Sequence, residues 1–110
     1  MTAGIAWLMI VVAGGMEVVW AYSAKQAAGW THWGWGAATI VSSLVSFGLL
    51  TFALKALPLG TAYAVWTGIG AVGSFAVGIW LLGESASVWR VGSALLVVAG
   101  VVGMRLSSGE

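Results

Sequence analysis

Glu17 is the residue of this chain best suited to chemistry inside a membrane. It lies within the apolar run 5–24, which is long enough to cross a bilayer. A carboxylate at the centre of a spanning helix costs roughly 2.5–3.5 kcal/mol on insertion scales, and no Lys or Arg lies at a similar depth. Such a residue suits the exchange of a proton for a cation, the alternative being a protonated Glu17 that only hydrogen-bonds between helices.

The helical face around Glu17 combines small side chains with one indole. At spacings of three, four and seven residues this face carries Ala13, Gly14, Trp20, Ala21 and Ala24. The small residues, Gly14 among them as a secondary candidate, leave room beside the carboxylate. The Trp20 N–H can donate to the carboxylate, and its ring can bind a cation. We therefore predict that Glu17 binds proton and substrate and that Trp20 lines the cavity.

A serine cluster on the second apolar run offers further polar groups. Ser42, Ser43 and Ser46 lie within about one helical turn of each other. Serine in a transmembrane helix usually bonds its own backbone or packs at a helix contact. Ser46 lies nearest the helix centre and is the best candidate to hydrogen-bond Glu17 or a bound donor, with Ser42 as a secondary candidate.

The third run carries aromatic and glycine residues at helical spacing. Tyr63 and Trp66 share a face with Thr67 and Gly70, and buried Tyr and Trp need hydrogen-bond partners. We predict Tyr63 and Trp66 as cavity residues and Thr67 as a secondary one.

A glycine pattern on the same run matches GxGxxG over residues 68–73. It does not predict a dinucleotide site, because it lies inside an apolar membrane run with no preceding strand. Gly68, Gly70 and Gly73 instead allow close helix packing or a bend, and both interpretations stay open.

The fourth run has small residues at helical spacing and no buried charge. We predict that this face makes the dimer contact, through Gly92, Ala99, Gly100 and Gly103.

The composition is that of an integral membrane protein. Of 110 residues, 61% are hydrophobic and 6% are charged, against about 25% charged in soluble domains. Charged residues separate apolar runs at about 5–24, 34–54, 61–82 and 88–104, each near the ~20 residues that span a bilayer. The sequence therefore predicts an all-α membrane fold, with one four-helix transmembrane domain over residues 1–110.

Several classes of function are excluded by the composition. The net charge of +1 gives no electrostatic footprint for nucleic acid. The chain has no Cys, and its one His has no nearby ligand, so we predict no metal, no cofactor and no enzyme activity. Six Trp residues fall near predicted helix ends and are expected at the headgroup level; they are Trp7, Trp30, Trp33, Trp35, Trp80 and Trp89.

The basic residues are balanced between the two sides of the membrane. Alternating helices place Lys55 and Arg105 on the side of the N-terminus, and Lys25 and Arg90 on the other. Orientation by the positive-inside rule needs a bias, so the chain is expected to insert both ways up. A flipped second copy would supply the inverted half that many transporters use. This predicts an antiparallel homodimer; a single orientation set by the N-terminus or the loops is the alternative.

These features resemble the small multidrug resistance family of bacterial exporters over essentially the whole chain. The resemblance is carried by the four helices, the single acidic residue on the first, and the segment LPLGTAYAVWTGIG at 57–70. Glu17-Val-Val-Trp20 and Gly83-Glu84-Ser85 are similar to its guanidinium-exporting subtype, since the multidrug subtype more often has a small residue at the position of Trp20.

The resemblance implies a dual-topology antiparallel homodimer in the bacterial inner membrane that exports guanidinium in exchange for protons. It also implies that Glu17 binds both ions and that the cavity positions are Trp20, Ser46, Tyr63 and Trp66.

Other functions stay open at this point. One is broader export of quaternary ammonium and other lipophilic cations, which Trp20 argues against because a bulky donor favours a compact, planar substrate. Others are a structural or regulatory membrane subunit without transport, and a channel. The expected partners are a second copy of the chain, the lipid bilayer, a small cation and protons.

Overall fold

Four helices form the structure, a computed structural model that describes residues 2–107. They are α1 (Ala3–Gln26), α2 (Trp33–Ala53), α3 (Leu59–Leu82) and α4 (Val88–Ser107). Each is long and apolar enough to cross a membrane, which confirms the predicted all-α membrane fold. The assignment of residues 1–110 to one domain stays a prediction, because Met1 and residues 108–110 lie outside the described residues.

The helix ends follow local capping chemistry. The Thr2 hydroxyl accepts a hydrogen bond from the Ile5 N–H at 3.2 Å, so α1 begins before the expected residue 5. Pro58 precedes the first turn of α3 and has a φ of −60°, which suits entry into a helix. Gly83 ends α3 in the left-handed region, with a φ of 68°, a conformation that glycine adopts without a steric penalty.

The core lies where α1, α2 and α3 meet. α1 packs against both of the other two, and α3 also packs against α4. The buried hydrophobic cluster consists of Ala6, Trp7, Ile10, Leu50, Ala53, Leu57, Ala62 and Val65. α4 has no buried residue, so its apolar surface is left for lipid or for another chain.

Trp7 departs from the expected position of an interfacial anchor. Its side chain is only 8% exposed and belongs to the core cluster. Ala53 and Ala62 in that cluster leave room for the indole, and the Arg105 guanidinium lies 4.6 Å from the ring centroid. The other five Trp residues assigned to helix ends are exposed on the protomer surface.

Basic side chains lie at both ends of the bundle, as expected from alternating helices. Arg105 lies beside Trp7, near the start of α1. Lys25 and Arg90 line one cavity at the opposite end. The bundle therefore has basic side chains at both ends.

Candidate functional site

A small cavity, here called the Glu17 cavity, lies between α1 and α3. Its volume is about 230 Å³. It is lined by Glu17, Trp20, Ala21, Thr67, Gly70, Ala71 and Ser74. Thr67 and Ala71 are exposed in the single protomer, so one wall of the cavity opens onto the protomer surface.

Glycine on α3 makes the close approach of Glu17 possible. A Cβ at Gly70 would lie 2.9 Å from the Glu17 Cβ and would overlap a carboxylate oxygen. One turn later, a Cβ at Gly73 would overlap the Val18 side chain. These two contacts set how α1 and α3 face each other, and they seat the Glu17 side chain directly against the α3 backbone.

The Glu17 carboxylate shares its cavity with an indole and with no other charged side chain of the described residues. The Trp20 side chain, one turn along α1, lines the same cavity. Within residues 2–107 no basic side chain forms an ion pair with Glu17. A carboxylate that faces a cavity in this state can accept a proton or bind a cation.

Ser46, predicted to hydrogen-bond Glu17 or a bound donor, makes hydrogen bonds with two other groups in the protomer. Its hydroxyl donates to the Ala13 carbonyl at 2.7 Å and accepts from the Trp66 indole N–H at 2.9 Å. Ser46 is buried against α1 and lies between two nearer partners. The chain of bonds joins α3, α2 and α1 one turn before Glu17, so it holds the backbone that carries the carboxylate.

Tyr63 and Trp66 do not line the Glu17 cavity of a single protomer. Trp66 turns toward α2 through its bond to Ser46. Tyr63 lies one turn before Thr67 and is 54% exposed, and its ring centroid lies 5.6 Å from that of Trp66. The pair therefore forms a separate aromatic surface next to the cavity.

Two of the secondary candidates lie away from the cavity as well. The Ser42 hydroxyl donates to the Ala38 carbonyl at 2.6 Å, which is ordinary backbone bonding within a helix. A Cβ at Gly14 would come within 2.5 Å of the Ile69 side chain, so Gly14 serves the contact between α1 and α3. Thr67, the third, lines the cavity.

The α3 glycines predicted to allow packing or a bend and the α4 small residues predicted to make the dimer contact differ in what surrounds them. A Cβ at Gly68 would overlap Val101, so this residue lies in the contact between α3 and α4. The α4 positions face away from the protomer. Apart from chain neighbours and the local helix backbone, no atom of the described residues lies within 4 Å of a Cβ placed at any of the three glycines there. All four positions are exposed, namely Gly92, Ala99, Gly100 and Gly103.

Ala71 and Ser74 are cavity residues that the sequence analysis missed. Together with Thr67 and Gly70 they follow the spacing of zero, three, four and seven residues that marks one helical face. The signal was present, and extending the face by one turn beyond Gly70 would have found both.

A second cavity, here called the end cavity, continues from the first toward one end of the bundle. Its volume is about 410 Å³, and it shares Ala21, Ala71 and Ser74 with the Glu17 cavity. At its outer end lie Lys25 and the ion pair between Arg90 and Glu84.

The ion pair at the outer end of this cavity holds the connection between α3 and α4. The Arg90 Nη2 to Glu84 Oε1 distance is 3.2 Å. Arg90 also donates to the Ser85 carbonyl and lies 4.9 Å from the Phe75 ring centroid.

Residues 2–107 contain no group of three or more His, Cys, Asp or Glu side chains that could hold a metal ion.

Four helices long and apolar enough to cross a membrane, with one acidic residue in a cavity that opens onto the protomer surface, define a multi-pass membrane protein. The chain belongs to the family described as Small Multidrug Resistance protein, whose sequence model matches residues 5–98.

Curated relatives carry a more specific name. A guanidinium exporter of Escherichia coli (strain K12) is 49% identical over 102 residues, which cover 93% of this chain and 97% of the relative. Guanidinium exporters of Yersinia pestis and Citrobacter freundii are each 50% identical, over 94% and 93% of this chain and 99% and 97% of their own lengths. Relatives named as exporters indicate a transporter rather than an enzyme.

Proposed function

We propose that this protein exports guanidinium in exchange for protons across the bacterial inner membrane. The observation that carries the proposal is the Glu17 carboxylate, which faces a cavity at membrane depth without an ion pair. The names of relatives at about half identity support guanidinium as the substrate.

The site chemistry suits a small planar cation. A guanidinium group donates two parallel N–H bonds to one carboxylate, and an indole beside that carboxylate can interact with the cation through its ring face. Trp20 occupies that place. Because the proton and the cation need the same carboxylate, binding of one displaces the other, and this competition gives antiport when the site opens to one side of the membrane at a time.

A second, oppositely oriented copy would complete the site. The Glu17 cavity opens onto the protomer surface, and Tyr63 is exposed beside it. An antiparallel homodimer would cover this opening and bring two Glu17 carboxylates together, so that two protons could exchange for one cation. The exposed small residues of α4 would make the contact, namely Gly92, Ala99, Gly100 and Gly103.

Alternating access would require α3 to change its packing or to bend. α3 is a continuous helix, and each of Gly68, Gly70 and Gly73 lies against a side chain of another helix. A hinge at these glycines stays a proposal. Its structural support is that three close contacts would shift together if α3 moved.

The test is guanidinium-driven proton flux in liposomes containing purified protein. Glu17→Gln is expected to abolish coupled exchange, because an amide neither takes up the proton nor pairs with the cation. Glu110→Gln makes the same chemical change near the C-terminus and is expected to keep wild-type flux. Retained proton coupling in Glu17→Gln would refute the proposal, and dimer assembly measured on the same sample excludes misfolding as the cause.

The alternative is export of lipophilic quaternary cations, which the family description and the open wall of the Glu17 cavity favour. Comparing guanidinium flux with that of a large aromatic quaternary cation separates the two. We expect faster guanidinium flux; faster flux of the large ion would reverse this ranking.

A further inference from the structure

Two hydroxyl groups in the Glu17 cavity have no hydrogen-bond partner. Thr67 and Ser74 both line the cavity, and among residues 2–107 neither side chain forms a hydrogen bond. Both lie in the middle of α3, on either side of Gly70. Thr67 is exposed and Ser74 is partly exposed in the protomer, so each hydroxyl oxygen is available to accept a hydrogen bond from a ligand or a cavity water.

Hydroxyls elsewhere in the helix interiors satisfy themselves on the backbone. Thr39 donates to the Trp35 carbonyl at 2.8 Å. The same bond, three or four residues back, is made by Ser42, Ser43, Thr51 and Ser93. This is the usual behaviour of Ser and Thr in membrane helices. Ser23 and Thr61 also form no side-chain hydrogen bond, but they lie in the terminal turns of α1 and α3.

The direction of α3 makes Ser74 the better placed of the two cavity hydroxyls. Each Cα–Cβ bond in a helix tilts toward the N-terminus. Ser74 follows Gly70 by four residues, about 6 Å along the axis, so its side chain leans back toward the place where Glu17 sits. Thr67 precedes Gly70, and its side chain leans away.

A cation bound by Glu17 needs further acceptors. If two N–H groups of a guanidinium pair with the carboxylate, the remaining N–H groups point away from it. Ser74 offers an oxygen about one turn farther along the same wall. Ser74 also lines the end cavity, so it stands where an ion would pass between Glu17 and the bilayer surface.

We infer that Ser74 is a specificity-determining residue whose hydroxyl oxygen accepts a hydrogen bond from an N–H-bearing cation bound at Glu17. Quaternary ammonium ions carry no N–H, so they gain nothing from this oxygen. The inference rests on the proposed function, and it adds an acceptor on α3 to the carboxylate and indole on α1.

The test compares two variants of nearly identical shape. Ser74→Thr keeps the hydroxyl, and Ser74→Val replaces it with a methyl group. The measurement is uptake of labelled guanidinium into liposomes under a fixed proton gradient, with KM and maximal rate determined separately. We expect Ser74→Val to raise the KM by roughly 3- to 10-fold, with the maximal rate retained, and Ser74→Thr to stay within about twofold of wild type.

A matched control is Ser43→Ala, which removes a hydroxyl that donates to the Ile40 carbonyl within α2. It is expected to leave the guanidinium KM unchanged. Equal KM values for Ser74→Val and Ser74→Thr would overturn the inference, whether both match wild type or both are raised, because the effect would then be absent or steric. Absence of guanidinium uptake by the wild type would instead refute the proposed function.

Discussion

At the scale of single residues, the site depends on what is missing as much as on what is present. Gly70 contributes no side chain, and this lets Glu17 lie against the backbone of α3. The carboxylate shares its cavity with the Trp20 indole and has no ion pair within the described chain. A methyl group or a basic side chain in this place would change the chemistry of the site more than most changes to the surrounding apolar wall.

Gly70→Ala is therefore predicted to disrupt guanidinium transport. The added methyl would occupy space held by Glu17 atoms, so the carboxylate must move away from α3. We expect a fall in guanidinium flux of at least about tenfold, which corresponds to a change of about 1.4 kcal/mol.

Gly48→Ala is the control for this change. It places the same methyl on α2, where no described atom beyond its chain neighbours and the local helix backbone lies within 4 Å of the new Cβ, and it is expected to transport normally. Wild-type flux in Gly70→Ala would contradict the seating of Glu17 on α3.

At the scale of helices, the bond chain through Ser46 holds three elements together. It runs from the Trp66 indole to Ser46 and on to the Ala13 carbonyl. Its place one turn before Glu17 indicates that helix packing and carboxylate position are coupled. Ser46 therefore supports the site through the backbone of α1.

A double-mutant cycle with Ser46→Ala and Trp66→Phe measures this coupling. We predict an interaction free energy of roughly 0.5–1.5 kcal/mol, obtained from unfolding of the purified protein in mixed micelles. Ser43→Ala combined with Trp66→Phe is the control and should be additive. Additive effects in the Ser46 pair would show that the bond does not stabilise the bundle.

The helices could be predicted because a long apolar run bounded by charged residues has few alternative structures to a spanning helix in a bilayer. Glu17 stood out because an acidic side chain at that depth is rare. The polar residues of α2 and α3 were harder to assign. Which of them faces Glu17 depends on the rotation of α3, and that rotation is set by contacts at Gly70 and Gly73 that a single sequence does not reveal.

At the scale of the whole molecule, two features of the protomer leave surface for lipid or for another chain. The Glu17 cavity is open on one side, and α4 has no buried residue. Basic residues lie at both ends of the bundle, so charge alone gives little preference for either orientation. The open cavity, the exposed α4 and the basic residues at both ends favour the proposed antiparallel pair.

Changing the charge balance is predicted to separate the two orientations. Lys25→Ala removes a basic residue at one end and Lys55→Ala removes one at the other, so each variant alone should favour a single, opposite orientation. We expect each variant expressed alone to give low guanidinium tolerance in cells, and co-expression of the two variants to restore it. Orientation is read from reporter fusions; full activity of Lys25→Ala in one uniform orientation would contradict the antiparallel dimer.

Because α4 adds no residue to the protomer interior, changes on its outer face have little effect on the stability of the bundle itself. If this face forms the interface between copies, substitutions there change which chain is bound as the partner, while each chain still folds. A duplicated gene that diverged only on this face could thus encode a chain that pairs only with the product of the other gene. An obligate heterodimer could arise from this architecture in few steps.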